Sequence, residues 1–455
     1  MTVFFDLEKA YDTAWRFGIL KTLHEFGFRG EMALFIQVFL RNRRFKVKVG
    51  NTLSSLRNQD EGVPQGSVLS VTLFALAING IASVIPDDVM HTIFVDDLSI
   101  SFAASRMAVA ERKLQLTMDR MVEWAERRGF RFSTAKTVAM HFCNIRGVHP
   151  DPDLYIHGQR ISCKEETRFL GLIFDPKLTW LPHLKDLKTK CLTALNVLKV
   201  LSHSSWGADR KHLTILYKSL VLSKLSYGCE VYSSATKSRL SILDSIHNAG
   251  LRLASGAFKS SPIPSLLVDA AEQPLEIYRQ SLLVRYWHRI QRLPNSLACK
   301  VVLNNKYFDF YDSHPMCRKP FGYRVSKIME DSYVPEAKVW PVKYSAIPPW
   351  RLPSVEFCNY FTGAKQDVSD DDLRLLFLEH FSSHENSISI FTDGSKSGAG
   401  VGFGVIFPTF SRSGRLPNQS SIFTAECYAI LTALKEIVSH PGKHFTILSD
   451  SKSVL

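Results

Sequence analysis

The sequence predicts an α+β protein of more than one domain. Three observations carry that expectation. The stretch Thr92–Ile93–Phe94–Val95–Asp96–Asp97, followed by Leu98, Ile100 and Phe102 alternating with serines, reads as a β-hairpin with two adjacent carboxylates at its tip. After Trp180 apolar residues recur at helical spacing in several stripes. From Ile388 onward, strand alternation and one helical stretch return as a separate segment. At 455 residues the chain is long enough for about two to four domains.

The formal net charge of +13 points to a polyanionic partner, nucleic acid first of all. No stretch approaches the roughly 18 apolar residues of a membrane helix. Asp6 and Glu8 interrupt the only apolar start, so no signal peptide is expected. Eight cysteines are scattered without a Cys-x-x-Cys pair, which argues against a zinc ribbon or a disulfide framework and fits a reducing, intracellular compartment.

In chain order, Thr2 to Leu7 reads as a strand with Asp6 at its end. Lys9 to Phe26 reads as one helix with Ala10, Trp15, Ile19, Leu20 and Leu23 on its apolar stripe. An Asp where strand gives way to helix suits a metal ligand, and equally a helix N-terminus. Arg41 to Val49 alternates strictly. Phe45, Val47 and Val49 are expected on the core face, with Arg44, Lys46 and Lys48 on the other, toward a phosphate backbone or toward solvent. Gly62–Val63–Pro64–Gln65–Gly66–Ser67 is a tight turn before an apolar helix, Val68 to Ile81, a place where backbone can approach a ligand closely. Adjacent strand residues point to opposite faces, so Asp96 and Asp97 share one ion only at a sharp bend. Buried carboxylates need compensation, and a hard divalent cation supplies it.

Three ordered blocks then carry a resemblance: Phe5–Asp6–Leu7–Glu8–Lys9–Ala10–Tyr11–Asp12, Gly62 to Ser67, and Phe94 to Asp97. Two more follow, Gly129–Phe130 with Ser133 to Thr137, and Phe169 to Asp175. The chain resembles the reverse transcriptases of non-LTR (LINE-type) retrotransposons, of the Jockey and I groups. The resemblance implies a polymerase palm, a ferredoxin-like antiparallel sheet with helices, over 1–180, and a helical thumb over 181–291. It implies that Asp6 and Asp96 hold two Mg²⁺ ions (Mn²⁺ as a substitute), with Asp97 in support. Tyr11 would screen the sugar, Gln65 and Gly66 would contact template and incoming nucleotide, and Lys136 would lie near the triphosphate. Phe169, Leu170 and Gly171 would grip the primer. Implied partners are an RNA template, a DNA primer, dNTPs and an RNA–DNA hybrid, in nucleus and cytoplasm, with no membrane and with protein partners unknown. Val95 departs from the family's more frequent alanine.

Leu184, Leu187, Cys191, Leu195 and Leu198 form the first thumb stripe, Leu213, Leu216, Tyr217 and Leu220 a second, and Leu240 to Leu253 a third. Lys185, Lys188, Lys190 and Lys199 lie largely off them. Residues 292–385, rich in Pro, Tyr and Lys, read as an irregular linker, with a helix of acidic first turn near Asp370 to Asp372. The final segment, 386–455, is similar to the α/β ribonuclease H fold in its Thr392–Asp393–Gly394–Ser395, its Ala425–Glu426 on a helix and its Ser449–Asp450–Ser451. That implies metal ligation by Asp393, Glu426 and Asp450 and cleavage of the RNA strand of a hybrid. The family's fingers and endonuclease precede the first block, and its final carboxylate follows Leu455. The expectation is a chain truncated at both ends, with fingers largely absent and an incomplete nuclease. The alternative is a nucleic-acid-binding remnant that keeps the basic surfaces without catalysis.

Overall fold

In a computed structural model the protein is described at residues 1–143, 150–203, 205–304, 306–315, 317–335, 337, 339–342, 368–382, 387–438 and 444–451. It falls into two compact units, Met1–Val342 and Lys343–Leu455.

The first unit opens on β1 (Thr2–Phe5), all four residues of which are buried. Val3 and Phe5 enter the main core while Phe4 faces a second apolar cluster, so the strand is covered on both sides and reads as a continuous apolar run. The single helix expected after it is two, α1 (Ala10–Thr13) and α2 (Arg16–Glu25). Lys9 is left-handed (φ 48°) and Trp15 is extended, and a stripe of apolar residues cannot register such a break. α3 (Glu31–Leu40) leads into an arm in which β2 (Arg44–Phe45) pairs with β5 (Arg57–Asn58), and β3 (Lys48–Val49) with β4 (Thr52–Leu53). Here the expected burial fails. Phe45 is 47% exposed, Val47 53% and Val49 74%, because no second layer among the described residues covers them. Arg44, Lys46 and Lys48 are exposed too.

α4 (Val68–Asn79) follows, then the hairpin of β6 (Met90–Phe94) and β7 (Asp97–Ser101), α5 (Met107–Arg127) and β8 (Val138–Met140). α5 buries Ala110, Leu114, Met118, Met121 and Ala125, one face at helical spacing. β9 (Tyr155–Ile156) and β10 (Gln159–Arg160) pair, and β11 (Ser162–Cys163) joins the main sheet, whose order is β11-β8-β1-β7-β6. β1, β6, β7 and β8 alone give the β-α-β-β-α-β order 4-1-3-2, antiparallel throughout. The chain is α+β.

The hairpin β12 (Thr167–Phe169) and β13 (Leu172–Phe174) leads to a helical half with its own core. It comprises α6 (Leu181–Leu201), α7 (Arg210–Tyr217), a π turn over Lys218–Leu222, α8 (Ser223–Ser226), α9 (Cys229–Tyr232), α10 (Lys237–Ser255), α11 (Ile263–Ala270) and α12 (Leu275–Gln291). Leu184, Leu187, Cys191, Leu195 and Leu198 of α6 are all buried, as the stripe requires. The Tyr217 ring sits against Gly250, where an added Cβ would lie 2.4 Å from it, and its hydroxyl bonds His247 Nδ1 at 2.6 Å. His247 Nε2 reaches the Gln273 carbonyl at 3.1 Å.

Burial holds the pKa of His247 and of His183 below the ordinary imidazole value. In the interval between the folded and ordinary values the unfolded chain binds more protons than the folded one, so stability rises with pH there and is lost as pH falls through it. We expect a melting temperature lower by about several degrees at pH 5.5 than at pH 7.5 in thermal scans, and a shallower fall in His183→Gln.

The stretch read as an irregular linker is helical over part of its length. α13 (Leu297–Val302), α14 (Phe308–Ser313) and α15 (Phe321–Asp331) lie in it, and Val325 of α15 is buried in the helical core. Pro348, Pro349, Pro353 and Cys358 fall outside the described residues.

In the second unit, α16 (Asp370–Ser382) has the acidic first turn expected. β14 (Ile388–Ser397), β15 (Gly400–Ile406), β16 (Ser411–Leu416) and β17 (Phe445–Ser449) form a sheet of order β16-β15-β14-β17, with α17 (Ile422–Val438) packed on it. β17 runs parallel to β14 and the other pairs are antiparallel. Ile390, Val405, Phe407, Ala429 and Ala433 make its core. Among the described residues, no helix is long and apolar enough to cross a membrane.

Candidate active site

Asp6 stands directly beyond β1. The pairing Phe5↔Leu98, continued by one residue, sets Asp6 across from Asp97 on β7. Its backbone is anchored by the fourth block: Asp6 N–H donates to Thr137 Oγ1 at 3.3 Å, and its carbonyl accepts from Ser133 N–H at 2.8 Å. Asp96 occupies the hairpin turn with Val95, between the paired Phe94 and Asp97. Val95 has φ 57°, a region that costs a β-branched residue about 1–2 kcal/mol. Its side chain packs against the main core, which holds the bend.

Burial pushes the Asp97 carboxyl above the usual carboxylate range, and the charges of Asp96 and Asp6 add to the shift. The register sets Asp6 against Asp97, and Asp96 is its neighbour in the turn, so three carboxylates from two chain segments stand at one corner of the sheet. Asp6 Oδ2 is a buried atom with no hydrogen-bond partner, its nearest counter-charge being Lys136 Nζ at 3.6 Å. Burial and the Asp96 charge likewise raise the Tyr11 phenol, which places that hydroxyl in the same field. The Tyr11 ring stacks on Phe74 at 4.7 Å.

The Gly62–Ser67 turn is docked onto this corner. Val63 N–H donates to the Tyr11 carbonyl at 2.8 Å, Arg16 Nε to the Gly62 carbonyl at 2.8 Å, and Gln65 Nε2 to Asp12 Oδ1 at 3.0 Å. Asp12 was not singled out from the sequence, where nothing but its place in the first block marked it. Gly62 has φ 74°, and an added Cβ would lie 2.4 and 2.5 Å from the Asp12 and Tyr11 carbonyl oxygens. Gly66 has φ 86° with nothing within 4 Å. Gly62→Ala should therefore lose about 2–4 kcal/mol in urea titrations, and Gly66→Ala only about 1–2 kcal/mol. Equal losses would mean the turn is not seated on Tyr11 and Asp12.

Phe169 rests on Phe4 of β1 at 5.0 Å between ring centroids, which ties the β12–β13 hairpin to the strand preceding Asp6. Leu170 (φ 46°) and Gly171 (φ 80°) form its turn. Arg44, Lys46 and Lys48 lie on the exposed arm.

The second unit has its own acidic group. Oxygens of Asp393, Glu426 and Asp450 lie within 4.8 Å of one another, the one such group among the described residues. Thr392 pairs with Ser449 in parallel strands, so the next residues, Asp393 and Asp450, stand side by side where β17 ends, while β14 runs on with Asp393 opposite Gly404 of β15. Gly394 admits the third: a Cβ there would meet Glu426 N at 2.6 Å. Burial raises the Glu426 carboxyl, against a bond from Gly394 N–H, and Asp450 and Asp393 raise it further. Glu426 Oε2 is buried and unpartnered. The carboxylates of Asp6, Asp96 and Asp97 do not draw this close to one another; both sets offer only hard oxygen donors, suited to Mg²⁺ or Mn²⁺ and ill suited to softer ions.

The family profile described as "Reverse transcriptase (RNA-dependent DNA polymerase)" matches residues 1–174. The RNA-directed DNA polymerase from mobile element jockey of Drosophila melanogaster is 29% identical over 309 residues, 66% of this chain and 33% of that protein. The probable RNA-directed DNA polymerase from transposon X-element of the same organism is 26% identical over 309 residues, 65% of this chain and 33% of that protein. The chain thus spans about a third of the length of these relatives. A solved apo telomerase from Candida tropicalis covers 66% of this chain and 51% of its own at 12% identity, with a TM-score of 0.32. The profile lies over the first unit's sheet, and about two thirds of the chain is similar to RNA-directed DNA polymerases of the jockey and X-element mobile elements.

Proposed function

We propose that this chain is an RNA-directed DNA polymerase, extending a DNA primer along an RNA template from dNTPs. Residues 1–180 act as its palm and 181–291 as its thumb. The observation that carries this reading is the register that sets Asp6 against Asp97 at the Asp96 turn, with a buried, orphaned Asp6 carboxylate oxygen. Asp6 and Asp96 are the residues to hold two Mg²⁺ ions, with Asp97 in support. Bound there, the ions supply activation of the primer 3′-hydroxyl and neutralise charge on the leaving pyrophosphate. Tyr11, on its Phe74 platform, sets the floor under the incoming sugar. Gln65, held by Asp12, and the open backbone at Gly66 meet the template and the nucleotide. Lys136 is within reach of both Asp6 and an entering triphosphate. Phe169 to Gly171 hold the primer end, and Arg44, Lys46 and Lys48 contact phosphates of the template strand.

In the second unit, Asp393, Glu426 and Asp450 are the residues to hold divalent ions for cleaving the RNA strand of an RNA–DNA hybrid. The carrying observation is the convergence of their oxygens. The test of the polymerase is incorporation of labelled dNTPs on a primed RNA template in Mg²⁺, with and without chelator. No incorporation under any divalent ion would overturn it and leave a nucleic-acid-binding role.

A further inference from the structure

The turn at Leu170–Gly171 is held by a residue from the helical half. Both turn residues have positive φ, 46° and 80°, the two-residue hairpin geometry that glycine accepts and leucine does not. A surface turn with a strained non-glycine residue keeps its shape only if its surroundings over-determine it. The surroundings here are Tyr227. Its hydroxyl donates to the Leu170 carbonyl at 2.9 Å, across 57 residues of chain. Its ring lies against Gly171, where an added Cβ would be 3.0 Å from Tyr227 Cε1. The next residue, Gly228, has φ 68° and makes room for β13: a Cβ there would fall 2.7 Å from Leu172 Cδ2. The other side of the hairpin is tied by Arg168, 3.1 Å from Asp186 of α6, and by His183 Nδ1, which accepts from Ile173 N–H at 3.4 Å. Tyr227 is nonetheless 60% exposed. A ring there for packing alone would be covered.

We infer that Tyr227, with Gly228 behind it, is a positioning residue that fixes the tip of the β12–β13 hairpin against the helical half and so sets where the primer end is held. This rests on the polymerase reading above. Through Phe169 on Phe4 the same hairpin is referenced to the strand that ends in Asp6. Tyr227 therefore links the helical half to the catalytic strand in two contacts.

The test is Tyr227→Phe, which keeps the ring and removes one hydrogen bond. Two readouts are taken on the full chain. Hydrogen exchange of amides 168–174 should quicken while the melting temperature stays, because the change frees a turn rather than a core. In primer extension the KM for primer–template should rise about three- to tenfold, the span of one neutral hydrogen bond, while kcat and the KM for dNTP stay within about twofold. Unchanged exchange would overturn the strut. Quickened exchange with an unchanged primer–template KM would overturn its role in primer placement. A wild-type chain that extends nothing would fail the polymerase reading instead, and the exchange arm would still decide whether Tyr227 holds the turn.

Discussion

Asp96→Asn should abolish nucleotide incorporation, with a fall on the order of 10³-fold or more, because on the proposed polymerase reading it removes a metal-holding carboxylate and with it several kcal/mol of transition-state charge stabilisation. The substitution is isosteric. Asp96 is exposed in the turn, so the folded chain should survive it. The replacement also lifts a like charge from Asp97, whose carboxyl burial and the Asp96 and Asp6 charges now push up. The expected mutant is therefore as stable as wild type, still binds primer–template, and is inert. The measurement is single-turnover extension beside primer–template anisotropy. Equal rates for mutant and wild type would remove Asp96 from the metal site. Inactivity of both proteins with retained binding would favour the nucleic-acid-binding remnant.

The second large effect concerns the acidic group of the Lys343–Leu455 unit. Glu426→Gln, made in an Asp96→Asn background to weaken the first site, should lower Mn²⁺ affinity by about 100-fold. That is at least what losing a residue that merely supports a ligand can cost. Metal-free stability should hold or rise. Glu426 is buried beside two like charges, and an amide of equal size ends that repulsion. A stable variant that no longer takes up the ion separates a binding site from a structural acid cluster. Free Mn²⁺ followed by electron paramagnetic resonance during titration gives the readout. An unchanged binding curve would mean that the three carboxylates hold no ion.

Much of this is legible in the sequence, and the departures have separate physical causes. The α6 stripe and the strand, helix and strand of the last segment are legible from local periodicity, and the acid-bearing blocks from their resemblance to a family's ordered motifs. The arm at Arg44 to Val49 was readable as extended chain and misread as half buried. Alternation says which residues share a face, and only a distant second layer says whether that face is covered. β16 was missed because Ser411 to Leu416 has scarcely an apolar residue. It is an edge strand held by its ladder to β15, with Arg412 paired to Glu436 of α17 at 2.9 Å. The prolines after Arg292 were read as breakers, yet Pro320 stands at the cap of α15, as Pro274 does for α12. Proline is tolerated where a helix begins, since that N–H has no partner anyway.

By itself the sequence determined the family resemblance, the order of the acid-bearing blocks and the helical character of the region after Trp180. It could not determine that Asp6 faces Asp97, that Gln65 is held by Asp12, or that Tyr227 reaches back to Leu170. Those facts follow from strand order, from register and from glycines that let one backbone approach another. Such contacts join residues tens of positions apart, where no local preference of the chain reaches.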